Sequence, residues 1–403
     1  MDIHNYERRY RRRIELINES DISSGDKEVI FKFNNYCLTK DISYGKLEVY
    51  LFYLMKFTTM LKKPIIKATK DDLMRVIADL NQSDYSEETK KTFKITLRRL
   101  YKLVRGVEEG DPYPEEVKWM TINIKTNHRK LPEELVTEEE VTSIVHCTEK
   151  LRDKALLATL GESGCRVSEV GLMKIKHVSF EEYGARLTVT GKTGARKILV
   201  VNSSPFLREW INQHPYNRDP ESYLWYNPQN NGCLTYARIV AILKTAAKKA
   251  GIKKNVYPHL LRHSRATKLA NVMSDSQLKN YLGWIQGSKM ASIYIHMSGK
   301  DTDSAILKTN GLELQRETPK EPPLKPLNCL RCQGVNSATN RFCNICGMIL
   351  DKKMQNQVLV EDQKRMEANN LMDELFKDPE VLGLVLKKIK EVKLMQSNEY
   401  ANV

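Results

Sequence analysis

The sequence predicts a mainly α-helical protein with a small β-sheet, followed by a small cysteine-rich module and a C-terminal helix. Apolar residues recur at helical spacing over residues 1–105 and again from residue 137. One stretch, "ARLTVTGKTGARKILVV", changes to a period of two, which is typical of a strand pair. Four of the eight cysteines lie within residues 329–346. These three observations predict helical units, one hairpin and a separate thiol-rich module.

Composition limits the classes of function. The 403 residues suffice for two or three domains, and no apolar run approaches the roughly 20 residues of a membrane span. The start, "MDIHNYERRYRRRIELINES", lacks the apolar core of a signal peptide, so we expect a cytoplasmic protein with no membrane partner. A net charge of +15 favours a polyanionic partner, with a well-solvated basic protein as the alternative. Eight cysteines are too few for a disulfide scaffold.

The amino-terminal part is predicted as a basic helix over 1–20 and a helical unit over 21–106. Thr69 and Asp72 have the spacing of a helix N-cap ahead of an apolar stripe. In "SEETKKTFKITLRRLYKLV" the basic residues recur every fourth position opposite an apolar face. That basic face is a candidate for DNA-backbone contacts, or it is simply solvated; it comprises Lys90, Lys94, Arg98 and Lys102.

Residues 107–136 carry Gly and Pro early and show no sustained period, which indicates a linker. A second unit, 137–310, opens at Thr137 and Glu140 with the spacing of a capping box. Helices are expected through "RDKALLATL" and "RVSEVGLMKI", then a β-hairpin with Lys192 at its tip. The "GKT" of this tip is not a Walker A loop, because Arg186 stands where that loop needs glycine.

Several separated residues could together act on a phosphodiester. His259 and Arg262 are three positions apart and so share a helix face. A second arginine, such as Arg166, would complete a set of donors for phosphate oxygens. Such a set can stabilise the charge of a phosphoryl-transfer transition state without a metal.

In its motifs and their order the sequence resembles the tyrosine recombinase family, which includes phage lambda integrase and the Xer recombinases. The resemblance rests on "SGCRVSEVGLMKIKHV", "TGKTGARKILV", "HLLRHSRATKLA" and "YLGWIQGSKMASIYIHM", in this order. It covers about residues 30–305. It implies a helical SAM-like core-binding domain that clamps DNA, then a mixed α+β catalytic domain.

The resemblance also implies a role for each site residue. Tyr294 would attack the scissile phosphate and form a 3′-phosphotyrosyl link, while Arg166 and Arg262 hold its nonbridging oxygens. His259 would assist, and Lys192 would protonate the departing 5′-oxygen. Trp284 stands where the family has His or Trp, and Glu169 is expected to position its neighbours. Catalysis would need neither metal nor ATP, and a homotetramer would act on two synapsed duplexes.

The sequence departs from the family pattern at three points. Leu260 replaces a frequent acidic residue, and Tyr294 follows Trp284 by ten residues where nine is usual. His263 follows Arg262 directly and is interpreted as structural, because adjacent helix positions do not share a face. Tyr281 is interpreted as a core aromatic rather than the nucleophile.

After a Pro-rich linker, 311–328, the thiol-rich module resembles a zinc ribbon over 329–350. Two CxxC pairs separated by ten residues predict a structural Zn²⁺ site, with iron or free thiols as poorer alternatives. The four ligands would be Cys329, Cys332, Cys343 and Cys346. The module could contact DNA, bind a protein partner or support oligomerisation, and composition does not choose among these.

A C-terminal helical segment, 351–403, includes a helix start at Asp378 and Pro379. Its apolar stripe could dock within the chain or pair between protomers. Two other functions share the predicted fold. One is a type IB topoisomerase-like nicking enzyme, and the other is a DNA-binding regulator without catalysis.

Overall fold

The amino-terminal unit consists of helices, as predicted. This computed structural model describes residues 2–108, 110–122, 132–191, 194–230, 232–297, 309–310 and 322–399, the last nine of them and 295–297 by backbone alone. The first five helices are α1 (Tyr6–Glu19), α2 (Ser24–Thr39), α3 (Tyr44–Leu61), α4 (Lys70–Gln82) and α5 (Glu87–Val104). Their apolar faces form one core that includes Leu54, Phe57, Phe93, Leu97 and Tyr101.

The predicted start of α4 is confirmed. The Thr69 hydroxyl accepts from the Asp72 N–H, and the Asp72 carboxylate accepts from the Thr69 N–H at 3.0 Å, which closes a capping box. Lys63 adds an ion pair to Asp72. The hydrogen bond from Lys63 is the largest of the effects that hold the pKa of Asp72 far below its usual value.

Part of the segment predicted as a linker packs against this unit. A short helix, α6 (Glu115–Lys118), places Val117 in the amino-terminal core, and Met120 joins it. The sequence did not reveal this helix because four residues are too few to show a period.

The second unit wraps helices around a three-stranded antiparallel sheet. The sheet has the order β1 (Val178–Glu181), β2 (Gly184–Gly191) and β3 (Gly194–Val200), with Gly191 opposite Gly194 at the hairpin end. This confirms the predicted hairpin and adds β1, which the sequence analysis did not predict. The helices are α7 (Glu138–His146), α8 (Leu151–Ser163), α9 (Val167–Gly171), α10 (Ser204–Asn212), α11 (Tyr236–Lys249), α12 (Pro258–Ala270), α13 (Asp275–Leu282) and α14 (Met290–Met297).

Two local predictions in this unit have different outcomes. The capping box of Thr137 and Glu140 at the start of α7 is confirmed. The prediction that a helix continues through "RVSEVGLMKI" is wrong, because α9 ends at Gly171. Beyond it, the Met173 carbonyl accepts from the Leu224 N–H at 2.8 Å and the Ile175 N–H donates to Ser222 at 3.0 Å. These hydrogen bonds to a distant segment of the same chain replace the hydrogen bonds that a continued helix would make.

The cysteine module packs on the second unit. It contains β4 (Leu327–Asn328) paired with β5 (Val335–Asn336). Glu209 of α10 accepts hydrogen bonds from the Ser337 N–H at 3.4 Å and from the Asn340 amide at 2.7 Å. Leu324 of the Pro-rich segment is buried in the core of the second unit. The module is therefore held at two points rather than carried on a free spacer.

Two long helices follow, α15 (Lys352–Leu375) and α16 (Pro379–Glu399). The Asp378 carboxylate caps α16 by accepting from the Glu380 N–H at 2.8 Å, as the sequence predicts. α15 buries none of its side chains against the part of the chain that the structure describes. None of the described helices is both long and apolar enough to cross a membrane.

Candidate active site

Arg166 lies at the start of α9, where its side chain is held from two directions. Its Nη1 donates to Glu169 Oε1 at 2.9 Å, and its Nη2 donates to the Gly283 carbonyl at 3.2 Å. The Arg166 N–H also donates to Glu169 Oε2 at 2.9 Å. One third of the side chain stays exposed, so the guanidinium is positioned but still accessible.

Glu169 is a buried carboxylate shared by two arginines. Besides Arg166, it accepts two hydrogen bonds from Arg196 of β3, at 2.9 and 3.1 Å. Burial alone would raise the pKa of Glu169, but the hydrogen bonds and charge of Arg196, helped by Arg166, outweigh it and lower the pKa. Glu169 therefore stays ionised and positions its partners, which agrees with the role expected for it.

The sequence analysis missed Arg196, although a signal for it existed. Along β3, Arg196 shares the inward-facing alternation of Ile198 and Val200. A charged residue at an inward position of a short strand needs a buried partner, and Glu169 is that partner. Arg196 Nε also donates to the Tyr281 carbonyl at 2.9 Å, which fixes the end of α13 against the sheet.

Arg262 of α12 is almost completely buried beside Arg166. Its Nη1 donates to the Gly164 carbonyl at 2.9 Å and its Nη2 to the Leu282 carbonyl at 2.8 Å. Burial, followed by the positive charge of Arg166, lowers its pKa to about 10. At neutral pH the Arg262 guanidinium therefore remains charged.

One turn brings these two arginines together. Leu282 and Gly283 are consecutive, and their carbonyls accept from Arg262 and Arg166 respectively. Gly283 adopts φ +65°, and a Cβ there would lie 2.5 Å from Arg196 Nη1. The turn thus needs glycine for both its conformation and its close contact. Two like charges held side by side form a site for an anion with several oxygens.

Two histidines lie on one face of α12. His259 is exposed near the start of the helix, and His263 is half-buried one turn later. Their ring centroids are 4.5 Å apart at 82°. The interpretation of His263 as a structural residue, made from the sequence, missed this contact. It compared His263 with the adjacent Arg262 rather than with His259, which lies four positions earlier on the same helix face.

Tyr294 of α14 lies among the predicted site residues. Its ring stacks on Trp284, with centroids 5.3 Å apart and planes 9° apart, and its hydroxyl is hydrogen-bonded to His263 Nδ1. The guanidinium carbon of Arg262 lies 5.5 Å from the centroid of the Trp284 ring. Burial raises the pKa of Tyr294 to about 12, and the charge of Arg262 opposes that rise.

Tyr281 lies differently. It belongs to α13, its hydroxyl is 3.5 Å from the Leu199 carbonyl, and its ring packs partly against the main core of the second unit. Burial raises its pKa to about 12, opposed by Arg265. Tyr281 is therefore held by the fold, as the core interpretation expects, whereas Tyr294 is held by the residues of the site.

The other predicted site residues are Lys192 and the basic face of α5. Lys192 lies outside the described residues. In α5, Lys90 donates to the Asn81 carbonyl at 3.0 Å and Arg98 stacks 3.7 Å from the centroid of the Tyr113 ring. Lys102 donates to backbone carbonyls at 2.6 and 2.9 Å. Lys94 is half-buried. The assignment of this face to DNA-backbone contacts stays a prediction.

The four predicted metal ligands come together. The sulfur atoms all lie within 4.8 Å of one another, with pairs at 3.5 and 3.6 Å. Zn–S bonds of about 2.3 Å in a tetrahedron require sulfurs roughly 3.8 Å apart, so the spacing fits that ion. Each CxxC is followed directly by a residue with positive φ, Gln333 at 57° and Gly347 at 73°, which turns the chain back around the sulfurs. The ligands are Cys329, Cys332, Cys343 and Cys346.

Comparison with known proteins agrees with this geometry. The model of the phage integrase family matches residues 134–300. The tyrosine recombinase XerA of Pyrococcus furiosus is 28% identical over 71% of this chain and 95% of its own length. XerA of Pyrococcus horikoshii is 29% identical over 72% of this chain and 95% of its own length.

Residues 134–300 of this chain are thus similar to the phage integrase family, and the chain over about 70% of its length is similar to tyrosine recombinases.

Solved structures show the same fold. The site-specific recombinase XerH bound to its difH substrate matches with a TM-score of 0.51 at 20% identity, over 72% of this chain and 92% of that one. A lambda integrase tetramer bound to a Holliday junction matches with a TM-score of 0.53 at 16% identity, over 70% and 81%. The names of the relatives favour a recombinase over a topoisomerase-like nicking enzyme or a non-catalytic regulator.

Proposed function

We propose that this recombinase breaks and rejoins double-stranded DNA at a specific site through a 3′-phosphotyrosyl bond on Tyr294. The observation that carries the proposal is the pair of guanidiniums held by the consecutive carbonyls of Leu282 and Gly283, in the same cluster as the tyrosine. Such a pair can hold the two nonbridging oxygens of a phosphodiester.

The reaction follows from the positions of the groups. Arg166 and Arg262 bind the nonbridging oxygens and stabilise the charge that develops on them during attack. His259, exposed at the start of α12, adds a donor to this set. Trp284 carries an indole N–H that can donate one further bond, and its ring fixes the plane of Tyr294.

Bond making and breaking balance without an energy source. The Tyr294 oxygen forms a bond to phosphorus as the bond to the 5′-oxygen breaks, and that oxygen takes a proton, which we assign to Lys192 by family resemblance. The phosphotyrosyl diester conserves the bond energy, so a 5′-hydroxyl from another strand can reverse the step. Neither ATP nor a metal takes part in this scheme.

Tyr294 is only 2% exposed. A phosphate therefore reaches its hydroxyl only after the residues covering α14 rearrange. We propose that DNA binding causes this rearrangement, with the amino-terminal helices closing on the opposite side of the duplex. By analogy with the lambda integrase tetramer, four protomers would synapse two sites.

The cysteine module supports the proposal of a structural zinc ion. All four sulfurs belong to protein ligands at tetrahedral spacing, so when bound the ion would cross-link two short loops and leave no position open for a substrate. Its contacts with Glu209 place it on α10.

A covalent-capture experiment tests the function. Full-length protein is incubated with sheared genomic DNA from its own source and denatured, and the DNA that remains attached to protein is sequenced. A duplex nicked next to the recovered site should then accumulate a protein–DNA adduct. Absence of any adduct would refute catalysis, and relaxation of supercoils without strand exchange between two sites would replace the recombinase with a nicking enzyme.

A further inference from the structure

The hydroxyl of Tyr294 has a specific partner that the proposed roles do not use. It is hydrogen-bonded to His263 Nδ1, and the two ring centroids are 5.7 Å apart. Trp284 covers the tyrosine ring with near-parallel planes. The contact is thus between a single ring nitrogen and the oxygen that must attack phosphorus.

Attack by this oxygen requires its proton to leave. Burial raises the pKa of Tyr294 to about 12, so the phenol is protonated at neutral pH even though Arg262 opposes the rise. Glu169 is not an available acceptor, because Arg166 and Arg196 already occupy its two oxygens. A neutral histidine with its hydrogen on Nε2 can accept at Nδ1 and take up a proton near neutral pH.

The histidine pair also connects the buried hydroxyl to the surface. His263 is half-buried and its ring lies edge-on to that of His259, which is exposed. His263 contacts the ring of His259 on its own helix and the ring and hydroxyl of Tyr294 on α14. The ring that would receive the proton therefore lies beside a solvent-exposed histidine.

We propose that His263 is a further catalytic residue, the base that takes the proton of Tyr294 during strand cleavage and returns it during rejoining. As the bond from Tyr294 Oη to phosphorus forms and the bond to the 5′-oxygen breaks, the phenolic proton moves to His263 Nδ1. The 5′-oxygen takes its proton from the separate donor assigned to Lys192, so protons and charge balance. The proposal rests on the proposed function, because it assigns a role within that reaction.

The test uses full-length protein and single-turnover cleavage of a nicked duplex carrying the captured site. His263→Ala should slow cleavage by roughly 10²–10⁴-fold, the usual contribution of a general base. His263→Gln, which keeps an acceptor oxygen but cannot take the proton, should remain slow. His146→Ala, an exposed histidine at the end of α7, should cleave at the native rate.

Two chemical substitutions separate a base from a merely structural residue. A fluorinated tyrosine at position 294 has a more acidic phenol, so it should restore most of the rate lost in His263→Ala. Sulfur in place of the scissile 5′-oxygen gives a leaving group that needs no proton. It should rescue Lys192→Ala while leaving the defect of His263→Ala in place.

The outcomes distinguish the two proposals. Failure of the native protein to form any adduct refutes the proposed function itself. Native cleavage with an unchanged rate in His263→Ala or His263→Gln overturns only the role of His263. The role is also overturned if the fluorinated tyrosine does not restore the rate, or if the sulfur substrate does.

Discussion

Removing the charge of Glu169 should destabilise the catalytic unit more than removing a comparable exposed carboxylate. The Glu169 side chain is 2% exposed and that of its partner Arg196 is 12% exposed. Glu169→Gln keeps the shape but leaves a buried guanidinium without its counter-ion. Breaking a buried pair in this way costs about 3–5 kcal/mol. We expect a loss of that size in the free energy of unfolding.

The matched control is Glu181→Gln. Glu181 accepts two bonds from Arg186, at 2.5 and 2.7 Å, but both side chains are more than one third exposed. Solvent screens such a pair, so its loss should cost much less than loss of the buried pair. Denaturant unfolding followed by tryptophan fluorescence measures both, since Trp210 and Trp225 lie in the same core.

Acid should reduce the difference between native protein and Glu169→Gln. The folded pKa of Glu169 lies below its ordinary value of 4.5. Its stabilising contribution is therefore complete above that value and is lost as the pH falls through the lower folded pKa. A cost for Glu169→Gln no larger than for Glu181→Gln, or a cost that persists unchanged at low pH, would refute the assignment of Glu169 as the buried counter-ion.

Three further predictions concern the glycine turn and the cysteine module. Gly283→Ala should lower stability by about 1–3 kcal/mol, measured by thermal unfolding, because the residue has positive φ and the new Cβ would meet Arg196; Gly287→Ala, with open space at that position, is its control. Asn340→Ala should remove the shorter of the two hydrogen bonds from the module to Glu209 and speed proteolysis near residue 322 without slowing DNA cleavage; equal protection would contradict the docking. A chelator should release one zinc per chain and expose four thiols to a thiol reagent while cleavage continues, and loss of cleavage would contradict a metal-free reaction.

The sequence predicted those local elements that depend on residues close together in the chain. Thr69, Thr137 and Asp378 cap helices as expected, since a cap depends on residues only a few positions apart. The period-two stretch became β2 and β3 for the same reason. By contrast, the end of α9 depends on hydrogen bonds to residues 222–224, about fifty positions away, which local pattern does not encode.

The site shows the same division. Motif order predicted Arg166, Arg262, Trp284 and Tyr294, and the structure brings these four together. Motif order did not predict that the consecutive carbonyls of one turn hold both arginines, because backbone acceptors leave no residue signature. Arg196 and His263 did leave signals, an inward strand position and an i to i+4 helix spacing. A role can be assigned to either residue only once its partner in the folded chain is known.

Identifying the DNA-linked residue tests the central claim most directly. The adduct formed on the nicked duplex is digested with protease and nuclease, and the peptide that carries the nucleotide is sequenced by mass spectrometry. We predict a 3′-phosphate linked to Tyr294, and loss of the adduct in Tyr294→Phe but not in Tyr281→Phe. A nucleotide on Tyr281, or an adduct that survives Tyr294→Phe, would contradict the account.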